Sequence, residues 1–303
     1  MVILLCKRLA QAFLILLGVA AITFVLLYAL PADPARMIAG RSATAQTVAS
    51  IRHELGLDQP LLVQFWTYLT GLLQGDLGRS YAQKTEVWTL IAARLPATLT
   101  LMAAGIFVEV VLGITFGTIA AVRRGSFVDR LVMTASFVGV SAPQFVAALL
   151  LLYVFAVTLG WFPMSGYGSF AHIVLPALTL GILGAGWYAR MVRSAMIEVL
   201  NQDYVRTKGL SSRRIIFRHA LPNAILPIIA MIGIDIGQFM GGVVVVEAVY
   251  GWPGIGQLAW QAIQQVDIPI IMGVTLTSAL AIVAGNLLAD LIAPVIDPRI
   301  RTS

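Results

Sequence analysis

Charge is scarce in this chain. Only 11% of its 303 residues are Asp, Glu, Lys or Arg, against about a quarter in ordinary soluble domains. The composition is 59% hydrophobic and the mean hydropathy is +0.90. Burying that much apolar surface in water would need an unusually large core, whereas a bilayer lets apolar helices face lipid. Cysteine is nearly absent. Cys6 stands alone, which excludes an intramolecular disulfide and a thiolate metal cluster. Lysine occurs only as Lys7, Lys84 and Lys208, and none follows a glycine. A phosphate-binding loop of the Gly-x-x-x-x-Gly-Lys-Ser/Thr type is therefore excluded, so the chain is not expected to hydrolyse ATP. Histidine is limited to His53, His172 and His219, too dispersed on the topology below to gather at one site. His53-Glu54 lacks the second histidine of a metalloprotease helix. Ser141, close to Pro143 and Gln144, reads as a helix kink rather than a nucleophile.

What the chain does have is long apolar runs. Six segments reach or approach the ~20 residues needed to span a bilayer: residues 9–30, 98–122, 131–159, 173–188, 224–246 and 270–295. The first resembles a signal sequence, since Lys7 and Arg8 precede it. It is too long for a signal core, and Pro31-Ala32-Asp33 is a poor cleavage site, so a retained first helix is expected. The net charge of +6 does not indicate a nucleic-acid partner, because the basic residues sit in short gaps between spans. Lys7, Arg8, Arg123, Arg124, Arg130, Arg190, Arg193, Arg206, Lys208, Arg213, Arg214, Arg218, Arg299 and Arg301 all fall on one side of a six-span arrangement. The short loops on the other side, residues 160–172 and 247–269, carry no Lys or Arg. The positive-inside rule then places both termini in the cytoplasm. The expected fold is an all-α polytopic membrane protein with three regions: residues 1–30 as tail and first helix, 31–97 as an extracytoplasmic loop subdomain, and 98–303 as a five-helix core. Within the external loop, residues 45–55 and 60–73 have helical spacing, interrupted at Gly56-Leu57-Asp58-Gln59-Pro60.

Residues 191–222 form the longest cytoplasmic segment, and it is amphipathic. Glu198, Asp203, Arg206 and Lys208 alternate with Val199, Leu200, Tyr204 and Val205. Gly209 breaks this first helix, Ser211 or Ser212 can cap a second, and residues 213–221 resume helical spacing before Pro222. Two short helices around a glycine turn make a protrusion whose apolar face can dock in a partner's groove.

Gly209, nine further residues and His219-Ala220-Leu221-Pro222 resemble the second half of the signature loop of bacterial importer permeases, with His219 where isoleucine is typical. The resemblance is closest to the first permease of the dipeptide, oligopeptide, glutathione and nickel importers, and extends over the whole chain. It is carried also by Leu55-Gly56-Leu57-Asp58-Gln59-Pro60, Gly75-Asp76-Leu77-Gly78, Leu95-Pro96-Ala97-Thr98-Leu99, Glu247-Ala248-Val249-Tyr250-Gly251-Trp252-Pro253-Gly254-Ile255-Gly256 and Asp297-Pro298-Arg299-Ile300-Arg301. Such resemblance implies the type I ABC importer permease fold, with six transmembrane helices and a cytoplasmic coupling helix. It implies ATPase coupling through Asp203, Tyr204, Val205, Arg206, Thr207, Lys208, Gly209 and Leu210. As partners it implies a second homologous permease, two ATPase subunits that use ATP and Mg, and an extracytoplasmic substrate-binding protein, with no cofactor in this chain. Small peptides are the expected substrate; nickel and glutathione are the alternatives. One departure stands out. The family reads Asp-Tyr-Val-Arg-Thr-Ala-Arg-Ala-Lys-Gly-Leu where this chain reads Asp203 to Thr207 and then directly Lys208-Gly209-Leu210. Three missing residues remove about 4.5 Å and 300° of helix.

Ionisable residues inside spans default to a functional reading. Asp235, with Gln238 one turn later, is expected to face the translocation pathway; the bland reading is an Asp bonded to a neighbouring helix. Glu109 is expected to serve structure by pairing with another span. Asp290 is expected to be interfacial, and Glu247, at the start of an external loop, structural. A secondary transporter would show inverted repeats with broken helices in both halves, and none is evident. A membrane-embedded enzyme would need reactive residues at one depth, and none cluster.

Overall fold

The computed structural model describes residues 2–29, 33–40, 43–201, 216 and 221–296. The elements are α1 (Val2–Ala29), α2 (Pro34–Ala39), α3 (Ala45–Glu54), α4 (Leu61–Leu73), α5 (Val87–Val122), α6 (Phe127–Ser141) and α7 (Gln144–Leu151). They continue as α8 (Phe170–Leu200), α9 (Leu221–Gly242), α10 (Val244–Tyr250), α11 (Ile255–Gln265) and α12 (Ile268–Ile296). No β-strand occurs among the described residues; a single antiparallel bridge joins Arg79 and Glu86. Four helices are long and apolar enough to cross a membrane, and six spans result if each of two bent pairs counts as one.

Several boundaries differ from the sequence expectation. The helix expected over 98–122 begins at Val87 and runs 36 residues with Pro96 inside it. At 1.5 Å per residue that is about 54 Å, well beyond a ~30 Å hydrocarbon core, so part of α5 stands outside the bilayer. The span expected over 173–188 runs unbroken from Phe170 to Leu200, through Pro176. Residues 191–200 therefore continue that span rather than opening a separate helix. The expected kink at Ser141 is a full break: α6 ends there, and the chain turns by 106° before continuing through α7 into a wider π-helical turn, Leu152–Thr158. Pro143 lacks the N–H needed to continue the ladder. The stretch 247–269, expected as loop, is largely helical, holding the end of α10 and all of α11. Asp203 to Leu210, with the shortened stretch before Lys208, lie outside the described residues, as do His219 and the motif beginning at Asp297. The side chain of Asp290 lies outside them too.

The chain divides into two compact units. One comprises Met1–Thr98 and Pro253–Val283. Its apolar centre is Phe24 on α1, packed with Ile268 and Met272 of α12 and flanked by Phe65 and Tyr68 of α4. Asp267, fully buried, ties the 79–86 turn to the start of α12 by accepting from Ser80 Oγ at 2.5 Å, Tyr81 N at 3.1 Å and Ala82 N at 3.0 Å. Thr98 Oγ1 accepts from Ile255 N at 2.8 Å.

The other unit comprises Leu99–Trp252 and Ala284–Ser303. Its core centres on Tyr188, Val192 and Met196 of α8 with Ala121, Ala224 and Ile228. Tyr250 donates to the Ala148 carbonyl at 3.0 Å and lies 2.9 Å from the Thr179 hydroxyl, joining α10, α7 and α8. After α10 the chain turns at Gly251, whose φ of 60° is left-handed and suits glycine. Trp252 is buried and meets Tyr167 edge-on at 4.8 Å. Glu247 is fully buried in α10, so its place is the protein interior and not a loop surface.

Candidate functional site

Close approach of two helices creates the site. On α5, Gly113 and Gly117 face Tyr188, Ala189 and Val192 of α8; a Cβ on Gly113 would lie 2.2 Å from Tyr188 Cβ, and one on Gly117 2.6 Å from the Ala189 carbonyl oxygen. The fit is reciprocal. On α8, Gly181 receives Val108 and Gly184 receives Glu109, where a Cβ would lie 1.7 Å from Glu109 Oε1. Small residues let membrane helices approach to backbone contact, and the Gly113-x-x-x-Gly117 spacing is its trace in the sequence.

That approach brings Glu109 across to α8 and α9. There the Glu109 carboxyl shares its surroundings with Asp235 of α9. The Tyr188 hydroxyl donates to Asp235 Oδ2. Glu109 is 3% exposed, and its Oε2 has no hydrogen-bond partner. The three side chains line a cavity of about 310 Å³ together with Gln144 of α7, Trp187 of α8 and Gln238 of α9. Asp235 thus both bonds to a neighbouring helix and lines a cavity, with Gln238 beside it. Tyr188, Gln144 and Trp187 were not singled out from sequence; which residues an Asp meets across helices depends on packing, not on local pattern. Chemically the site offers acceptors: two carboxyls, two side-chain amides and a phenol oxygen, with apolar walls from Leu180, Ile234 and Phe239.

A second polar contact braces the same unit. Arg193 of α8 donates from Nε to Asp129 Oδ1 at 2.6 Å and from Nη2 to Oδ2 at 2.7 Å. Asp129 is 3% exposed and accepts also from Gly125 N at 2.9 Å. A bidentate guanidinium–carboxylate pair fixes orientation as well as distance. Arg190, three residues earlier on α8, stacks over the rings of Phe137 and Trp187. Sequence had assigned both arginines only as topology signals.

The remaining candidates are dispersed. His53, in the last turn of α3, pairs at 2.6 Å with Asp58 on the segment linking α3 and α4. Its pKa is raised above 6.5 by that hydrogen bond and by the charge of Asp58. His172 meets Ser169 Oγ at 2.8 Å. Among the described residues, no group of three or more His, Cys, Asp or Glu is arranged to hold a metal ion.

Apolar helices of spanning length, closed by glycine contacts around a polar cavity, define an integral membrane protein. Comparison with known proteins supplies the particular family. Residues 113–302 match the family described as binding-protein-dependent transport system inner membrane component, and residues 1–102 match its N-terminal counterpart. The chain belongs to that family. It is similar to the glutathione transport system permease protein GsiC of Salmonella typhimurium, at 42% identity over 298 residues and 97% of both chains. The Escherichia coli K12 counterpart is 41% identical over the same share. In fold it resembles the inward-facing MetNI methionine ABC transporter, with a TM-score of 0.57 at 19% identity over 68% of this chain and 96% of that one. A second crystal form gives 0.55 at 22% identity over 69% and 97%. The fold is that of a type I ABC importer permease, and the chain is the permease subunit of such an importer.

Proposed function

We propose that this chain forms half of the translocation pathway for small peptides, with the tripeptide glutathione the first substrate to test. The observation that carries this reading is end-to-end similarity, at 41–42% identity, to permeases named for glutathione transport. Dipeptides and longer peptides remain in the same substrate class; nickel is the alternative. A second homologous permease completes the pathway as a heterodimer. Two ATPase subunits bind ATP and Mg, and an extracytoplasmic binding protein delivers the substrate. This chain is non-catalytic and holds no cofactor.

Both termini lie in the cytoplasm, on the support of the Lys and Arg distribution. Cysteines at Gln83 and Ser165 are then reached by an impermeant thiol reagent in spheroplasts, and one at Gly125 only after permeabilisation; labelling at Gly125 from outside reverses the orientation. Asp203 to Leu210 couple ATPase closure to the helices. Gly209→Val is expected to abolish stimulation of ATP hydrolysis by loaded binding protein; unchanged stimulation refutes that role. The substrate test is ATP-driven uptake by the full complex in proteoliposomes, offering glutathione, dialanine, a longer peptide and nickel. Nickel uptake without peptide uptake overturns the proposal.

A further inference from the structure

The cavity lining has a charge imbalance. Two acidic side chains, Glu109 and Asp235, line it, and among the described residues no Lys, Arg or His does. A carboxylate inside a membrane protein is costly unless it is paired. Tyr188 occupies one oxygen of Asp235, while Glu109 Oε2, buried, has no partner. The missing component is therefore a cationic donor.

We propose that Glu109 and Asp235, oriented by Tyr188, receive the ammonium group of the peptide as it passes through the permease. This rests on the small-peptide reading above. An ammonium carries three N–H donors and no acceptor. Glu109 Oε2 and the Asp235 oxygen not taken by Tyr188 accept two of them. The third faces the Gln144 or Gln238 side-chain carbonyl on the cavity wall. Their amide nitrogens can donate to peptide carbonyls, so the backbone adjoining the amino terminus is also served. At about 310 Å³ the cavity holds the amino-terminal part of such a peptide.

The test uses the complete transporter in proteoliposomes with saturating binding protein. Uptake of glutathione and N-acetylglutathione, and of dialanine and N-acetyldialanine, is measured for the native complex, for Glu109→Gln and for Asp235→Asn. Each peptide is supplied at a concentration that saturates the binding protein, which removes the binding protein's own preference from the comparison. Losing a charged hydrogen bond lowers uptake of the free-amine peptides by about tenfold or more, and leaves the acetylated forms close to their native rates. Equal loss for both forms assigns the pair to packing alone and overturns the proposal, as does unchanged uptake of the free amines. Conservative Glu109→Asp should restore part of the free-amine preference; failure to do so with an assembled complex also counts against the site. If the native complex carries none of the four peptides, the small-peptide reading fails, and this inference with it.

Discussion

Replacing Gly113 by alanine tests whether the approach of α5 and α8 builds the cavity. The added methyl would lie 2.2 Å from Tyr188 Cβ, 3.2 Å from Tyr188 Cα and 3.3 Å from Ala189 N. Carbon atoms rest about 3.5–4.0 Å apart, so the overlap is roughly 1.5 Å. Two of those three neighbours are backbone atoms, which cannot rotate away as a flexible side chain could. The helices must separate locally, and overpacking of this kind costs about 1–3 kcal/mol. Moving the Tyr188 backbone also draws its hydroxyl from Asp235, adding about 1.5–3 kcal/mol for a hydrogen bond to a charged group. The expected outcome is a lower unfolding temperature for the purified complex together with reduced uptake. Gly18→Ala on α1 is the control, since nothing lies within 4 Å of its added Cβ. If Gly113→Ala is as stable and as active as Gly18→Ala, the helix approach described here is not what shapes the site.

Other substitutions test the remaining contacts. Asp129→Ala leaves Arg193 without its bidentate partner; Arg193 is only 27% exposed, so the loss is about 3 kcal/mol, the low end for a broken buried pair. A complex with unchanged thermal stability would refute that account. Asp267→Asn removes an acceptor oxygen from a residue that serves Ser80, Tyr81 and Ala82, at about 1–3 kcal/mol for each donor left unpaired. Protease cleavage within residues 79–86 should rise; unchanged cleavage means the turn is held by other contacts. For the exposed His53–Asp58 pair, the histidine pKa is raised and the aspartate pKa lowered by their mutual hydrogen bond. The pair therefore persists between the two, lost as pH rises through the raised histidine value and as pH falls through the lowered aspartate value. Diethyl pyrocarbonate should modify His53 with a midpoint above 6.5, and Asp58→Asn should lower that midpoint; no change removes Asp58 as the cause.

The membrane-spanning plan was legible because lipid rewards a simple quantity, about 20 apolar residues in a row. Hydropathy goes silent where helices leave the bilayer, which is why the extensions 87–97 and 191–200 were missed. Pro96 reads as a helix start, yet α5 is already established ahead of it, with Arg94 reaching Gln257 and Gln261 at 3.4 and 3.5 Å. The polar stretch after Glu247 read as loop because its helices are short, 7 and 11 residues. Asp235 and Gln238 were legible as polar side chains in an apolar span. Tyr188 was not, because a tyrosine at the end of an expected span reads as an interfacial anchor and nothing local reveals that Asp235 lies opposite. The exchange of knobs and glycines between α5 and α8 had a sequence trace in Gly113 and Gly117, but its partner positions could come only from the packed structure.

α8 is a single helix of 31 residues, about 46 Å long, and several of the contacts above are mounted on it. Arg193 sits about 7.5 Å along the axis from Tyr188, and no break separates them. As a rigid shaft, it cannot turn at one residue and stay still at the other. A turn of about 30° sweeps a side-chain tip at ~6 Å radius through about 3 Å, enough to part Tyr188 from Asp235. The same turn strains the two short bonds from Arg193 to Asp129. Any such turn must therefore release Asp129 from Arg193 and disturb the lining of the polar cavity together.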